Sequence, residues 1–209
     1  MDNYINKIEK NIFKKINKIP NPVILELGVQ NGASTKRFLD LCNKNNGHLF
    51  SVDIDDCSHV SDDKCWTFIK SRDDNFDLIK SKIPKKIDIL FIDSLHEAEH
   101  VSKIIYGYYN MIKSGGIIFI DDISHLPYVK NGIRNNFYCE INNQETFNEI
   151  LQIYFSNYDN FDLSFNFESS GIAAIVKKND NDINKKISIK SREFSIKNFI
   201  RKFLKKIKK

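Results

Sequence analysis

Three acidic side chains follow two short apolar segments in the middle of the chain. Asp93 comes directly after the run Ile87–Ile92. The pair Asp121 and Asp122 comes directly after the run Ile117–Ile120. Runs this short and apolar are typical of parallel strands that are buried on both faces. Because neighbouring carboxylates repel one another, a divalent cation such as Mg²⁺ is a physical reason to bring three together. The competing interpretation is that the acids only cap their strands.

The segment between these two runs has the pattern of a helix. Its apolar residues recur at helical spacing from His96 to Ile112, and Ser114, Gly115 and Gly116 are expected to end it. A strand, helix and strand connected in this way cross over with a right hand, so the carboxyl ends of both strands reach one edge of the sheet. Ligands of open α/β sheets bind at that edge. We therefore expect the three acids to face one site.

A glycine turn follows the first predicted strand, Val23–Leu27. Gly28 and Gly32 stand four residues apart in the sequence and precede a helix that is expected to reach about Leu41. A strand, a glycine turn and a helix make a nucleotide-type site, in which the backbone comes close to the ligand. A dinucleotide fingerprint needs a further glycine where this chain has Gln30, so the spacing disfavours NAD.

Acids also follow the next two predicted strands. His48–Asp53 ends in a carboxylate about 20 residues past the glycine turn, where it can bind both ribose hydroxyls of an adenosine ligand. Asp53 is the candidate for this contact, and Asp55 is the alternative. The third strand, Cys65–Ile69, leads to Asp73, in a loop that commonly borders the adenine in folds of this kind.

Over residues 23–123, this series of strands and acids resembles the class I S-adenosylmethionine-dependent methyltransferases. Within that class it is similar to the metal-dependent O-methyltransferases of the catechol type and of the bacterial sugar and macrolide type. The residues that carry the resemblance are Glu26, Gly28, Gly32, Asp53, Asp93, Gly115, Gly116, Asp121 and Asp122. The implied fold is α/β and Rossmann-like, a seven-stranded, mostly parallel sheet with helices on both faces and a C-terminal antiparallel hairpin.

The resemblance also implies a cofactor and its contacts. The cofactor is S-adenosylmethionine, and Ser34 matches the position that meets its methionine carboxylate. The predicted cofactor-binding residues are Glu26, Gly28, Gly32, Ser34, Asp53 and Asp73.

The resemblance further implies a metal and a catalytic base. Mg²⁺ or Mn²⁺ is held in such enzymes by acids that correspond to Asp93, Asp121 and Asp122. His96 stands three residues past the first of these acids, where the base is expected, and His125 is the competing base. Ser94 departs from the pattern because the family usually has glycine there.

The part of the chain after the acid pair is predicted to recognise the acceptor and to complete the sheet. The polar and aromatic stretch from Ser124 to Asn143 is long for a loop in a compact domain, which favours a role in acceptor binding. A helix is predicted over Gln144–Tyr154, and a closing hairpin is formed by Phe161–Phe167 and Gly171–Val176.

The charge of the chain changes sign near residue 177. Residues 1–176 hold 19 basic and 24 acidic residues, a net charge of −5, whereas residues 177–209 hold 13 and 3, a net charge of +10. We therefore predict a methyltransferase domain over residues 1–176, of which residues 1–20 form an N-terminal helix, and a basic linker and helical tail over residues 177–209. The acidic domain argues against nucleic acid as a partner.

The tail has an apolar stripe opposite a basic face, which predicts an amphipathic helix from Ile196 onward. Such a helix suits an anionic membrane surface. Packing on the domain or on a second copy of the chain, as a homo-oligomer, is the alternative. The N-terminus lacks the apolar core of a signal peptide, so we expect a cytoplasmic protein, with the inner face of the membrane as a peripheral site.

Three functional classes are consistent with these features. The first is a metal-dependent O-methyltransferase that acts on a sugar or another small hydroxylated acceptor, including glycans. The second is a methyltransferase of the same fold that needs no metal and modifies another small molecule. The third is a non-catalytic, cofactor-binding scaffold.

Overall fold

The computed structural model describes residues 3–124, 137–189 and 195–207. A seven-stranded sheet forms the centre of the domain. Its strands are β1 (Val23–Leu27), β2 (His48–Asp53), β3 (Trp66–Lys70), β4 (Ile87–Ile92), β5 (Ile112–Asp121), β6 (Phe161–Asn166) and β7 (Ile172–Lys177). The strand order is β3-β2-β1-β4-β5-β7-β6, and β7 pairs antiparallel with both of its neighbours. The predicted α/β fold with a C-terminal hairpin is therefore confirmed.

Helices cover both faces of this sheet. They are α1 (Asn3–Ile8), α2 (Lys14–Ile16), α3 (Ala33–Asn45), α4 (Phe76–Lys82), α5 (Ala98–Tyr108) and α6 (Phe137–Phe155), and a further helix in the tail, α7 (Ile196–Ile207), has no buried residue. A π-helical turn, Glu9–Phe13, joins α1 to α2, so the predicted N-terminal helix is helical from residue 3 to residue 16. Helices α1 to α3 pack on one face of the sheet, and α4, α5 and α6 pack on the other.

The strands are buried on both faces because their side chains alternate between two apolar clusters. In β4, Ile89 and Phe91 pack toward α1 and α3, whereas Leu90 and Ile92 pack toward α5. All four side chains are almost fully excluded from solvent. This burial explains why the strand is an unbroken apolar run and does not alternate with polar residues.

The predicted helix between β4 and β5 has different boundaries in the structure. Helix α5 begins at Ala98 and not at His96, and it ends before a single 3-10 turn, Tyr109–Met111. The glycines do not end the helix but lie inside β5, which starts at Ile112. Gly115 has a φ of +81° there, close to the point where the pairing of β4 with β5 shifts register. His96 consequently lies in the loop after β4.

Helix α6 also begins earlier than the sequence predicts, at Phe137 and not at Gln144. Asn143 interrupts the apolar pattern because it points inward, where its side-chain amide donates a 3.0 Å hydrogen bond to the carbonyl oxygen of Ser124. The predicted acceptor-binding stretch is thereby shortened. Its residues 125–136, His125 among them, lie outside the described part of the chain.

The chain remains attached to the domain after β7. The backbone N–H of Lys178 donates to Asn160 (2.8 Å), and the ammonium of Lys186 pairs with Glu149 (2.6 Å). The linker predicted from residue 177 therefore begins with a docked segment. Within the described residues, no helix combines the length and the apolar character needed to cross a bilayer.

Candidate active site

A cavity of about 780 Å³ opens at the carboxyl ends of β1, β2, β4 and β5. Eight of the ten residues that the sequence singles out line it: Gly28, Ser34, Asp53, Asp73, Asp93, His96, Asp121 and Asp122. The other two, Glu26 and Gly32, lie behind the cavity wall. The crossover connections thus bring the acids of separate strands to one site. This agrees with the expectation that ligands bind at the carboxyl edge of an open α/β sheet.

The glycine turn brings the ends of β1 and β4 into contact. Gly28 has a φ of +98°, and a Cβ atom placed on it would lie 2.0 Å from the carbonyl oxygen of Asp93. Only glycine fits this position without a shift of the backbone. The turn leads into α3, whose first residues, Ala33 and Ser34, face the cavity with the helix N-terminus. That end of a helix favours anions such as a carboxylate.

Asp53 holds the glycine turn in place as well as facing the cavity. Its Oδ2 accepts hydrogen bonds from the backbone N–H groups of Val29 (2.8 Å) and Gln30 (3.1 Å), and Oδ1 accepts one from Asp55 (3.0 Å). Burial disfavours the charged carboxylate, but these backbone donors outweigh it and lower the pKa of Asp53. The side chain is thus ionised and remains partly open to the cavity.

Glu26 lies one layer behind the cavity and is fully buried. Its carboxylate accepts hydrogen bonds from the hydroxyls of Ser34 (2.6 Å), Thr35 (2.8 Å) and Ser51 (2.7 Å). Burial raises the pKa of Glu26 to about 7, although the three hydroxyls oppose the shift. In this arrangement Glu26 reaches the cavity only through Ser34, whose position it fixes.

Replacing Glu26 by glutamine is expected to remove a pH dependence of stability. The buried carboxyl keeps its proton up to a pH of about 7, whereas in the unfolded chain it loses the proton near 4.5. The wild type therefore loses stability as the pH rises through this interval, by roughly 3 kcal/mol. We expect Glu26→Gln to lack that loss in urea unfolding curves measured between these pH values. Glu9→Gln, at a partly exposed position, is the control. Parallel curves for wild type and Glu26→Gln would contradict the assignment.

Asp73 is held by two side chains that the sequence did not single out as site residues. Its Oδ2 accepts a hydrogen bond from the Ser94 hydroxyl (2.5 Å) and lies 2.9 Å from Nε2 of His100. Ser94 is the residue that replaces the usual glycine, and its hydroxyl here binds the adjacent loop. His100 lies one turn before Ile104 on the buried face of α5, and a histidine in that apolar stripe is the signal that identifies it.

The acids that follow β4 and β5 converge around His96. The Nε2 atom of His96 lies 3.6 Å from Oδ1 of Asp93 and 3.5 Å from Oδ2 of Asp122. Successive residues of a strand point to opposite faces, but Asp121 and Asp122 both line the cavity. They can do so because Asp122 leaves the strand with a φ of +57°, in the left-handed region.

The N-terminal helix places two further residues on these acids. The ammonium of Lys7, fully buried, pairs with Oδ1 of Asp121 and donates to the Ser170 hydroxyl at 2.5 Å. The hydroxyl of Tyr4 donates to Oδ2 of Asp93 at 2.7 Å. Burial, followed by the charge of Asp121, raises the pKa of Asp93 well above its usual range. Lys7 pairs with only one of the three carboxylates of this acid cluster, so a further cation would favour the ionised form of Asp93.

This donor set fits a hard divalent cation with two carboxylate ligands. Asp93 and Asp122 both face the cavity near His96, and Mg²⁺ is commonly bound by one or two carboxylates together with substrate oxygens and water. Asp121, the third predicted ligand, instead has an oxygen engaged by Lys7. In residues 3–124, 137–189 and 195–207, no group of three or more ligand side chains is placed to hold a metal ion.

The seven-stranded sheet with its reversed last hairpin, and the cavity over its glycine turn, have the Rossmann-like architecture of the class I methyltransferases. Residues 25–123 match a family model described as a methyltransferase domain. That region contains all ten predicted site residues. The chain thus carries a methyltransferase domain over these residues. Comparison with curated protein sequences gives no match.

Solved structures share the fold at low sequence identity. MycE of the mycinamycin biosynthetic pathway, in complex with Mg, SAH and mycinamycin VI, is 18% identical with a TM-score of 0.60, and the match covers 86% of this chain and 51% of MycE. SAH-bound PaMTH1 of Podospora anserina is 15% identical (TM-score 0.62; 80% and 76% covered). A Staphylococcus aureus protein assigned as a caffeoyl-CoA O-methyltransferase is 16% identical (TM-score 0.61; 85% and 84% covered). The chain spans about half the length of MycE.

Proposed function

We propose that this protein transfers the methyl group of S-adenosylmethionine to a hydroxyl oxygen of a small molecule, with sugars and other polyhydroxylated compounds as the acceptor class. The observation that carries the proposal is the convergence of Asp93, His96 and Asp122 in the cavity that also holds the predicted cofactor residues. The S. aureus structural neighbour assigned as an O-methyltransferase supports oxygen as the acceptor atom, and MycE, in complex with mycinamycin VI, supports a small molecule as the acceptor.

In this proposal the cofactor lies along the ends of β1 and β2. Asp53 binds the ribose hydroxyls, and the N-terminus of α3 with Ser34 faces the methionine carboxylate. Ile54 and Leu95 line the cavity with 62% and 46% of their surfaces exposed, so they offer apolar surface that the adenine ring would cover. These two residues carried no signal in the sequence.

The reaction is an in-line displacement at the methyl carbon. The acceptor oxygen forms a bond to the methyl carbon while the bond from that carbon to the sulfonium sulfur breaks, which leaves a neutral thioether. His96 takes the hydroxyl proton on Nε2, and the nearby carboxylates of Asp93 and Asp122 stabilise the imidazolium that results. The chain's own residues thus supply orientation, the base and charge stabilisation.

We propose Mg²⁺ or Mn²⁺ as the cation of this site, held by Asp93 and Asp122, while Asp121 stays paired with Lys7. A divalent cation bound there would lower the pKa of the acceptor hydroxyl and neutralise the remaining negative charge. The placement of three carboxylates in one cavity, of which Lys7 pairs with only Asp121, supports this proposal.

The metal-independent methyltransferase is the second candidate, and one observation favours it. Lys7 is a cation that belongs to the chain itself and already contacts the acid cluster from a fully buried position. In this version Lys7 and the Tyr4 hydroxyl suffice to hold the acids, and His96 alone activates the acceptor. Dependence on added metal distinguishes the two candidates.

The proposed cofactor site predicts that Asp53→Ala weakens S-adenosylmethionine binding by roughly 1 to 3 kcal/mol, because the ribose hydroxyls lose a charged partner. Titration calorimetry measures the affinity directly. Asp53→Asn keeps an acceptor for the N–H groups of Val29 and Gln30, so it separates the loss of charge from the loss of the turn. Asp55→Ala, which removes the alternative contact, should leave the affinity unchanged. Binding of NAD in place of S-adenosylmethionine would refute the cofactor assignment.

The acceptor class is tested by a transfer assay with isotopically labelled methyl donor. Sugars, glycans and phenols are offered with matched amines of similar size. We expect labelled methyl ethers from hydroxylated acceptors. Label that appears only on nitrogen would overturn the proposed reaction and leave the cofactor site intact.

A further inference from the structure

Helix α7 has an apolar stripe that no described part of the domain covers. Its six large apolar side chains are between 50% and 80% exposed: Ile196, Phe199, Ile200, Phe203, Leu204 and Ile207. Their spacing places them on one face of the helix, and no residue of α7 is buried. The stripe therefore does not pack on its own domain in the structure, although the sequence allowed that alternative.

The opposite face of α7 is cationic apart from Asn198. Its charged residues are Lys197, Arg201, Lys202, Lys205 and Lys206, and Lys208 and Lys209 follow in the sequence. The last acidic residue of the chain is Glu193, before the helix begins. The helix thus has a strong positive charge on one side and an exposed apolar face on the other. A partner that binds the whole helix has to cover the apolar face and neutralise the charge.

We propose that α7 binds the surface of anionic lipid membranes. The 12 residues of the helix have a length of about 18 Å, which is shorter than the ~30 Å hydrocarbon core of a bilayer, so the helix lies in the interface and does not cross it. The phenylalanine, leucine and isoleucine side chains enter the boundary of the acyl chains, and the lysines and arginine face the lipid phosphates. This inference does not depend on the proposed reaction.

Other partners would either cover the apolar stripe or neutralise the cations, but not both. A second copy of α7 would cover the apolar stripe, but the flanks of the paired helices would bring cations together with no acid in α7 to pair with them. Nucleic acid would bind the cations and leave the apolar stripe in water. An anionic membrane covers the stripe and neutralises the charge at once.

Flotation of the full chain with lipid vesicles tests the proposal. With vesicles of equal parts phosphatidylglycerol and phosphatidylcholine, the protein should float at low ionic strength, and it should float far less with phosphatidylcholine alone. Raising the salt from about 0.05 M to about 0.5 M should reduce binding, since the charges are then screened over a few Å. The double variant Phe199→Gln and Phe203→Gln should lower the bound fraction by roughly tenfold or more.

Phe155→Gln is the matched control, because Phe155 is a half-exposed phenylalanine of α6 at 51% exposure and its replacement should not change flotation. Circular dichroism and S-adenosylmethionine affinity verify that each variant is folded. Wild-type protein that stays at the bottom of the gradient, or a double variant that floats as well as wild type, would overturn the proposal. A dimer in light scattering that the double variant dissociates, without any vesicle binding, would assign the stripe to a second copy of the chain instead.

Discussion

Removal of divalent cations by a chelator is expected to abolish methyl transfer, and Asp93→Asn to lower turnover by about 10²-fold or more when Mg²⁺ is present. The reason is electrostatic: Lys7 pairs only with Asp121, and a bound cation would favour the ionised form of Asp93, which burial and the charge of Asp121 disfavour. Cofactor affinity should be nearly unchanged, because the predicted adenosine and methionine contacts do not include the side chain of Asp93. Turnover and calorimetry in chelator, followed by addition of Mg²⁺ or Mn²⁺, measure both quantities.

Two variants decide what the acid cluster requires. Asp55→Asn removes an exposed acid from the same edge of the sheet and should not alter turnover. Lys7→Met leaves Asp121 unpaired in a buried position, so its folding has to be verified by thermal unfolding before its activity is interpreted. Full turnover of the wild type in excess chelator, together with an inactive but folded Lys7→Met, would establish Lys7 as the functional cation and support the metal-independent candidate.

The sheet and most of the cavity were predictable because they depend on short-range patterns. Apolar runs identify the strands, and the right-handed crossover then brings the residues after each strand to one edge. Asp53, Asp93 and Asp121 could therefore be placed together without any knowledge of side-chain contacts. The glycine turn could also be predicted from the sequence. Gly28 has a positive φ and lies so close to the backbone of Asp93 that a larger residue would not fit.

Contacts between distant parts of the chain were not predictable in this way. Lys7 and Asp121 are 114 residues apart, and the isoleucines around Lys7 predict only that one face of the helix is buried. A lysine in such a helix is expected to face solvent. Lys7 is buried instead because it pairs with Asp121 at the end of β5. The start of α5 was misplaced for a local reason: Ser94 to Glu97 form an irregular turn whose side chains do not break the helical pattern. That turn is what places His96 beside the acids.

His96→Ala is expected to lower turnover by about 10²-fold or more, because it removes the group that accepts the hydroxyl proton. Nε2 of His96 lies within 3.6 Å of both Asp93 and Asp122, so the imidazole is positioned by the acids of two different strands. The loss should appear in kcat, whereas S-adenosylmethionine affinity should stay at the wild-type value. Single-turnover rates measured at saturating cofactor report the chemical step separately from product release.

The other histidines near the site provide the controls for this variant. His100→Ala removes a partner of Asp73 at 2.9 Å, so it should weaken cofactor binding and leave the chemical step at saturating cofactor largely intact. His125→Ala tests the competing base, which follows the acid pair in the sequence, and should retain turnover. If His125→Ala loses activity and His96→Ala does not, the base is His125 and not His96. Asp93 and Asp122 would then contact the acceptor directly.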